Sequence, residues 1–277
     1  MLLEQKIQKS INTIKRAESL ALKYREYGFH LAFSGGKDSQ CIYELCKMAN
    51  VKFKSFMSVT TLDHPELMKF VRKNYPDVIM ERPKLNFYKL IEKYKQLPMR
   101  MARYCCHDLK EQSGAGSVVI IGIRKAESSR RNKRNELEIS GHKYSNSLDQ
   151  FNIDNESQIL CIKGKDKILL SPILDWTDRD VWEFIKLQKL EYCKLYNEGY
   201  KRIGCIFCPM STVKDKIRDR KRYAGVERAI KKSLQKIINE VEYPRGYKMD
   251  VDDIFNWWMS NDNIKSFQEK KKQTSLF

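Results

Sequence analysis

The chain has 277 residues, 42% of them hydrophobic and 32% charged, enough for one large α/β domain with a smaller appendage. Lys and Arg outnumber Asp and Glu by 53 to 35, and the net charge of +18 favours polyanions: nucleotides, nucleic acid or both. No apolar run approaches the ~18–20 residues of a membrane span, and eight Cys without a secretory leader point to a cytoplasmic setting and to metal ligation or reactive thiols over disulfides.

From the start, Ile7, Ile11, Ile14 and Ala21 recur at helical spacing among charges, which predicts an amphipathic helix stopped by Gly28, neither a signal peptide nor a span. Phe29–Phe33 is a short apolar run that reads as a buried strand. The loop Ser34-Gly35-Gly36-Lys37-Asp38-Ser39 follows, then a helix through Ile42, Leu45 and Met48. A strand over Phe53–Val59, a helix over Pro65–Asn74, a strand at Val78–Met80, a helix over Leu85–Tyr94 and the clearest strand, Ser117–Ile123, come next. Alternating strands and helices predict an α/β fold: a parallel sheet with helices on both faces.

Between Arg124 and Ser157 apolar residues are few, which predicts a mobile surface loop over about 124–157. Ile159–Leu170 reads as a β-hairpin turning at Gly164-Lys165-Asp166, and a helix starts at Thr177, where Asp180 completes a capping box. Beyond Ser211 the chain is helical and basic, with Lys214, Lys216, Arg218, Arg220, Lys221 and Arg222 close together. The expected division is a nucleotide-binding α/β domain over 1–175 and a mostly helical subdomain over 176–277 that carries Cys205 and Cys208.

A Gly pair between a buried strand and a helix lets the backbone turn tightly and aim several N–H groups, with the helix N-terminus, at an anion. Lys37 adds a point charge for phosphate oxygens, and Ser34 and Ser39 add hydroxyls. Asp38 would repel a phosphate unless a cation stands between them, which assigns it to Mg²⁺. The Walker A pattern fails, because Leu31 stands at its first Gly position and Asp38 follows the Lys.

The hexapeptide in this context resembles the PP-loop of ATP pyrophosphatases and of the phosphoadenosine phosphosulfate (PAPS) reductase family. The resemblance continues through Thr60–Leu67, Gly122–Arg131 and Pro172–Trp182, so that it covers roughly Phe29 to Met210. It implies an adenine nucleotide α-hydrolase-like fold, with ATP or an adenylylated sulfur nucleotide (PAPS or adenylylsulfate, APS) on Ser34–Ser39 and chemistry at the α-phosphate. It also implies that Asp63 belongs to a nucleotide-side acidic motif and that Gly122, Arg124, Glu127, Arg130 and Arg131 form a second phosphate-facing segment. Lys37, Asp38 and Arg124 are the expected catalytic groups.

Five Cys form one candidate metal set: Cys105, Cys106, Cys193, Cys205 and Cys208. A Cys-x₂-Cys unit such as Cys205–Cys208 lets two thiolates bind one metal centre, with Gly204 and Pro209 shaping the turn. Cys205 and Cys208 are the firmest members, and either Cys106 or Cys193 is the fourth. Cys41, Cys46 and Cys161 read as core residues. The arrangement resembles that of the iron–sulfur APS reductases and of the PP-loop enzymes of DNA phosphorothioation. That implies a [4Fe–4S] cluster, with zinc as the alternative.

Thioredoxin-dependent reductases of this kind carry a catalytic Cys near the C-terminus, whereas no Cys follows Cys208 here. The leading expectation is therefore activation or transfer of sulfur by an adenylyl-nucleotide enzyme, with a tRNA or DNA acceptor and a sulfur-donor protein as possible partners. The alternatives are APS/PAPS reduction with a thiol supplied from elsewhere, and a basic nucleic-acid-binding protein on a degenerate enzyme fold.

Overall fold

Ile7, Ile11 and Ile14 fall on one buried face of α1 (Leu3–Arg16), and α2 (Glu18–Tyr24) follows after Ala17, so the single N-terminal helix expected is two. Gly28 then turns at φ +74, where any side chain would run into the Lys52 carbonyl, and leads into β1 (Phe29–Ala32). The computed structural model describes residues 2–140, 166–240, 243–244 and 247–274. It divides the chain into two units: Met1–Ser58 with Pro65–Glu81 and Gln112–Ile203, and Val59–His64 with Arg82–Glu111 and Gly204–Phe277. Each is built from three separated segments, unlike the consecutive stretches 1–175 and 176–277 expected from sequence.

The first unit follows the expected alternation. β1 leads to α3 (Lys37–Ala49), β2 (Phe53–Ser58), α4 (Pro65–Asn74) and β3 (Ile79–Glu81). After α5 (Phe87–Tyr94) and α6 (Tyr104–Leu109), which belong to the second unit, come β4 (Val118–Ile120), α7 (Ser129–Asn132), β5 (Leu137–Ile139), β6 (Ile168–Leu170) and α8 (Asp178–Leu187). The sheet order is β3-β2-β1-β4-β6-β5. All neighbours run parallel except β5 and β6, which pair Leu137 with Leu170 and Ile139 with Ile168 in antiparallel register. The α8 cap is as expected: Asp180 N–H donates to Thr177 Oγ1 at 3.2 Å, and Thr177 N–H to Asp180 Oδ2 at 2.6 Å.

The stretch expected as a mobile loop from Arg124 is structured up to Ser140: a 3₁₀ turn at Lys125–Glu127, α7 and β5. An edge strand this short needs little apolar sequence. Leu137 faces the core while Glu138 bonds to the Asn135 N–H and pairs with Arg134. The rest of that expectation, 141–157, and the expected hairpin as far as residue 165 lie outside the described residues.

The second unit has its own apolar core, in which Phe87, Leu90 and Ile91 of α5 pack with Ile230, Leu234 and Ile237 of α10 (Ala224–Ile238). α9 (Val213–Arg222), α11 (Val251–Ser260) and α12 (Ile264–Thr274) complete it. No helix among the described residues is long and apolar enough to cross a membrane.

Lys216, expected on a basic surface, is instead fully buried in this unit, where Nζ donates to the Trp258 carbonyl at 2.9 Å and to Asn261 Oδ1 at 2.7 Å. Burial, helped by the charge of Arg100, brings its pKa down from 10.5 to about 8. Between those two values the unfolded chain holds a proton that the folded state has shed, so stability rises with pH across that window. Denaturant unfolding at pH 7.5 and 10 is expected to show the parent gaining about 1–3 kcal/mol relative to Lys216→Met. A parent–variant difference that does not change with pH would rule this out.

Candidate nucleotide loop and cysteine turn

At the C-terminal end of β1 the chain passes through Gly35, whose φ is +69. A Cβ there would lie 2.6 Å from Val71 and 2.7 Å from Leu67 on α4, so only glycine fits against that helix. Gly36 is the N-cap of α3, and Ser39 Oγ donates to its carbonyl at 2.8 Å. The Ser34 hydroxyl donates to Ser39 Oγ at 3.2 Å. The loop is thus held by its own serines, with the N-terminus of α3 at the end of the sheet and its first N–H, at Lys37, taken by the Tyr196 hydroxyl.

Two buried cations stand at this loop. Lys37 Nζ lies 3.1 Å from Asp178 Oδ1 and 3.5 Å from Asp38 Oδ2. Arg124 donates from Nε to Asp38 Oδ1 at 2.6 Å and from Nη2 to Asp178 Oδ1 at 3.1 Å. Although burial pushes the Asp178 carboxyl up, its hydrogen bond from Lys37 and the charges of Lys37 and Arg124 hold it below the usual carboxylate range. Gly122 makes room for this approach, since a Cβ there would sit 3.0 Å from the Asp38 backbone. Asp38, expected on Mg²⁺, is engaged by Arg124 in this structure.

The remaining members of the expected nucleotide set are placed differently. Glu127 accepts from the Arg124 N–H at 2.9 Å and pairs with Arg131, so these two brace the Arg124 backbone, while Arg130 is exposed. Asp63 belongs to the second unit, where its carboxylate accepts from the Thr60 N–H at 2.7 Å and the Thr60 hydroxyl at 2.8 Å. Two residues at the loop escaped the sequence reading: Asp178 and Tyr196, whose hydroxyl accepts the Lys37 N–H at 2.9 Å. Asp178 was visible only as a member of the Pro172–Trp182 segment and the first residue of a capped helix, and Tyr196 as one of three nearby tyrosines with Tyr192 and Tyr200.

In the second unit Cys205 forms an isolated antiparallel bridge with Asp63, and its thiol donates to Thr60 Oγ1 at 3.5 Å. Cys208 N–H donates to the Cys205 carbonyl at 3.2 Å. The left-handed residue of this turn is Phe207, with φ +55, and not Gly204, around which a Cβ would meet nothing within 4 Å. Asp219, buried on α9, accepts the Phe207 N–H at 3.0 Å and so fixes the turn.

Cys105 and Cys106 share a hydrogen bond that pushes the Cys105 thiol up and brings Cys106 down to about 6, with Lys110 and Arg103 adding to the fall. Charge on Cys205 raises the Lys110 ammonium, and Asp63, Cys106 and Cys208 add to it, so three of these thiols act on one lysine. Cys193 is buried in the core of the first unit, apart from this set, as are Cys41 and Cys46; Cys161 is outside the described residues. Among the described residues no group of three or more His, Cys, Asp or Glu is arranged to hold a metal ion. Four of the five cysteines expected as ligands, Cys105, Cys106, Cys205 and Cys208, fall in the second unit.

The basic run on α9 is partly neutralised. Arg220 binds both Glu227 oxygens, at 2.9 and 2.8 Å, and Asn256 at 2.9 Å, while Lys231 pairs with Glu227 and Asp252 at 2.6 Å each. With Lys216 buried, Lys214, Lys221, Arg222, Arg228 and Lys232 are the exposed cations of that stretch.

The family profile of the phosphoadenosine phosphosulfate reductase domain matches residues 28–211, from the turn before β1 through the cysteine turn. The chain belongs to this family. Among relatives of the PAPS reductase family member described here, an uncharacterized protein of Methanocaldococcus jannaschii is 29% identical over 231 residues, covering 80% of this chain and 51% of its own length. The chain therefore spans about half of that relative. The adenosine 5'-phosphosulfate reductase 2 of Bacillus subtilis is 25% identical over 228 residues, covering 78% of this chain and 87% of that protein. Among solved structures, the Candida glabrata FMN adenylyltransferase bound to FAD and pyrophosphate covers 74% of this chain and 65% of its own, at 14% identity and TM-score 0.46.

Proposed function

We propose that this chain binds ATP or an adenylylated sulfur nucleotide at Ser34–Ser39 and acts at its α-phosphate in sulfur activation or transfer. The observation that carries the reading is the pair of buried cations, Lys37 and Arg124, converging on the N-terminus of α3. Buried cations whose counter-ions are drawn from short carboxylates are suited to meet phosphate oxygens, where preformed donors stabilise developing charge without reorganisation. With ATP, an acceptor oxygen attacks the α-phosphorus and pyrophosphate leaves, producing an acceptor adenylate. Lys37, Arg124 and the loop N–H groups hold the phosphate chain, and Asp38 is the carboxylate for the Mg²⁺ that accompanies it.

In this reading Cys105, Cys106, Cys205 and Cys208 would hold a [4Fe–4S] cluster, or zinc, after the turn rearranges, and that group would supply a site for sulfur or for electrons next to those thiols. Their gathering in one unit, with Cys193 in the core of the other, supports Cys106 as the fourth ligand. A tRNA or DNA acceptor would have to be met by the cations that remain exposed, such as Lys214, Lys221 and Lys232.

A second reading, reduction of an adenylylated sulfate with a thiol from a partner, is favoured by the reductase among the relatives. ATP–pyrophosphate exchange separates the two. Exchange by anaerobically purified chain in the presence of acceptor supports the first, and reduction of APS or PAPS by added thiol without exchange supports the second.

A further inference from the structure

The three donors at the start of α3 are all occupied from within the chain. The first helical N–H, at Lys37, donates to the Tyr196 hydroxyl at 2.9 Å. Lys37 Nζ and Arg124 Nη2 meet on one oxygen, Asp178 Oδ1, each at 3.1 Å. A backbone N–H, an ammonium and a guanidinium are the donors a phosphate group would take. One carboxylate oxygen bridges the two cations.

The burial is asymmetric. The Lys37 and Arg124 side chains are 6% and 4% exposed, whereas that of Asp178 is 64% exposed. The carboxylate can swing into water by a side-chain rotation at the first turn of α8, but the cations have nowhere to go. Asp38 differs: it is 21% exposed, lies on the same helix as Lys37, and holds Arg124 through Nε, the nitrogen that Asp178 leaves free. Without an anion, two buried cations would repel each other, so an internal stand-in also keeps the empty loop in shape.

Resting on the reading of this loop as a nucleotide site, we propose that Asp178, with the Tyr196 hydroxyl, is a built-in occupant of the phosphate position that the ligand must displace. Asp178 then sets the affinity threshold of the site. It lowers affinity by the same factor for every anion that must displace it. A nucleoside triphosphate or a phosphosulfate, with more contacts to the loop, still binds above that threshold; a monophosphate falls nearer to it.

The test is calorimetric titration of the full chain with ATP and with AMP, with Mg²⁺ and without it, for parent, Asp178→Asn and Tyr196→Phe. Thermal unfolding checks the fold, which the Thr177–Asp180 cap preserves. If the occupied state makes up about nine-tenths of the empty protein, Asp178→Asn tightens ATP binding about tenfold. AMP binding should tighten by no more than the same factor, so that the ATP/AMP ratio does not narrow, and Tyr196→Phe should tighten both by a few-fold. A parent that binds neither ligand beside an Asp178→Asn protein that binds ATP also supports the proposal. Unchanged or weaker ATP binding in Asp178→Asn overturns it, and weakening seen only with Mg²⁺ would make Asp178 a metal-side carboxylate. Should neither protein bind a nucleotide, the nucleotide reading itself fails and takes this proposal with it.

Discussion

Lys37→Ala is expected to weaken binding of ATP or an adenylylated sulfur nucleotide by about 100-fold, close to 2.7 kcal/mol. The side chain is buried and charged, and its counter-ions are the two carboxylates of the loop, Asp38 and Asp178. Removing it deletes a charge-assisted contact to phosphate and leaves those carboxylates turned toward the incoming anion, with Arg124 alone to balance them. Both losses act in the same direction. The fold should survive, because the turn is held by Ser34, Ser39 and the fit of Gly35 against α4. Titration calorimetry beside a thermal melt makes the check, with Lys37→Met as a control that preserves packing. A variant that binds nucleotide like the parent would end the assignment of this loop.

Protein prepared without oxygen is expected to be brown and to contain iron and acid-labile sulfide. Cys205→Ser and Cys208→Ser should each lose essentially all of it, and Cys193→Ser should keep it. The expectation rests on four thiols gathered in the second unit and on a turn preset by Phe207 and Asp219. Metal analysis decides among the outcomes. Colourless protein with stoichiometric zinc would keep the ligands and remove the redox role, whereas protein without metal would sink both.

The strand–loop–helix that carries Lys37 was legible because its signals agree: a buried apolar run, a Gly pair and helical spacing coincide in one place. The same holds for α4 with its leading Pro65 and for α8 with its Thr177 cap. Legibility failed where structure depends on partners distant in sequence. β5 is only three residues, Leu137-Glu138-Ile139, too short to stand out in a polar stretch, and exists through pairing with β6. The distant partners of the loop, the Asp178 carboxylate and the Tyr196 hydroxyl, are more than a hundred residues from it, and neither residue type marks a phosphate site by itself. Charge was the least readable quantity. Lys216 looked like its neighbours on α9 but is buried, and Arg220 is taken up by Glu227 and Asn256. A count of cations cannot show which ones face water. Asp63 matched a nucleotide-side segment by position, yet the fold gives it to the cysteine turn.

The interleaving of the two units has a consequence for how the protein is made. The apolar face of α5 is covered by α10, and the Lys236–Glu92 ion pair that joins these helices spans 144 residues of chain. At ribosomal rates that separation corresponds to about 7–30 s between the emergence of the two partners. In the later part of that interval, once Leu170 is made, the six described strands of the sheet are complete while Phe87, Leu90 and Ile91 still lack the cover of α10. The nascent chain thus carries a finished sheet and an open hydrophobic helix at the same time, which makes the middle of the sequence the point where chaperone help or misassembly enters.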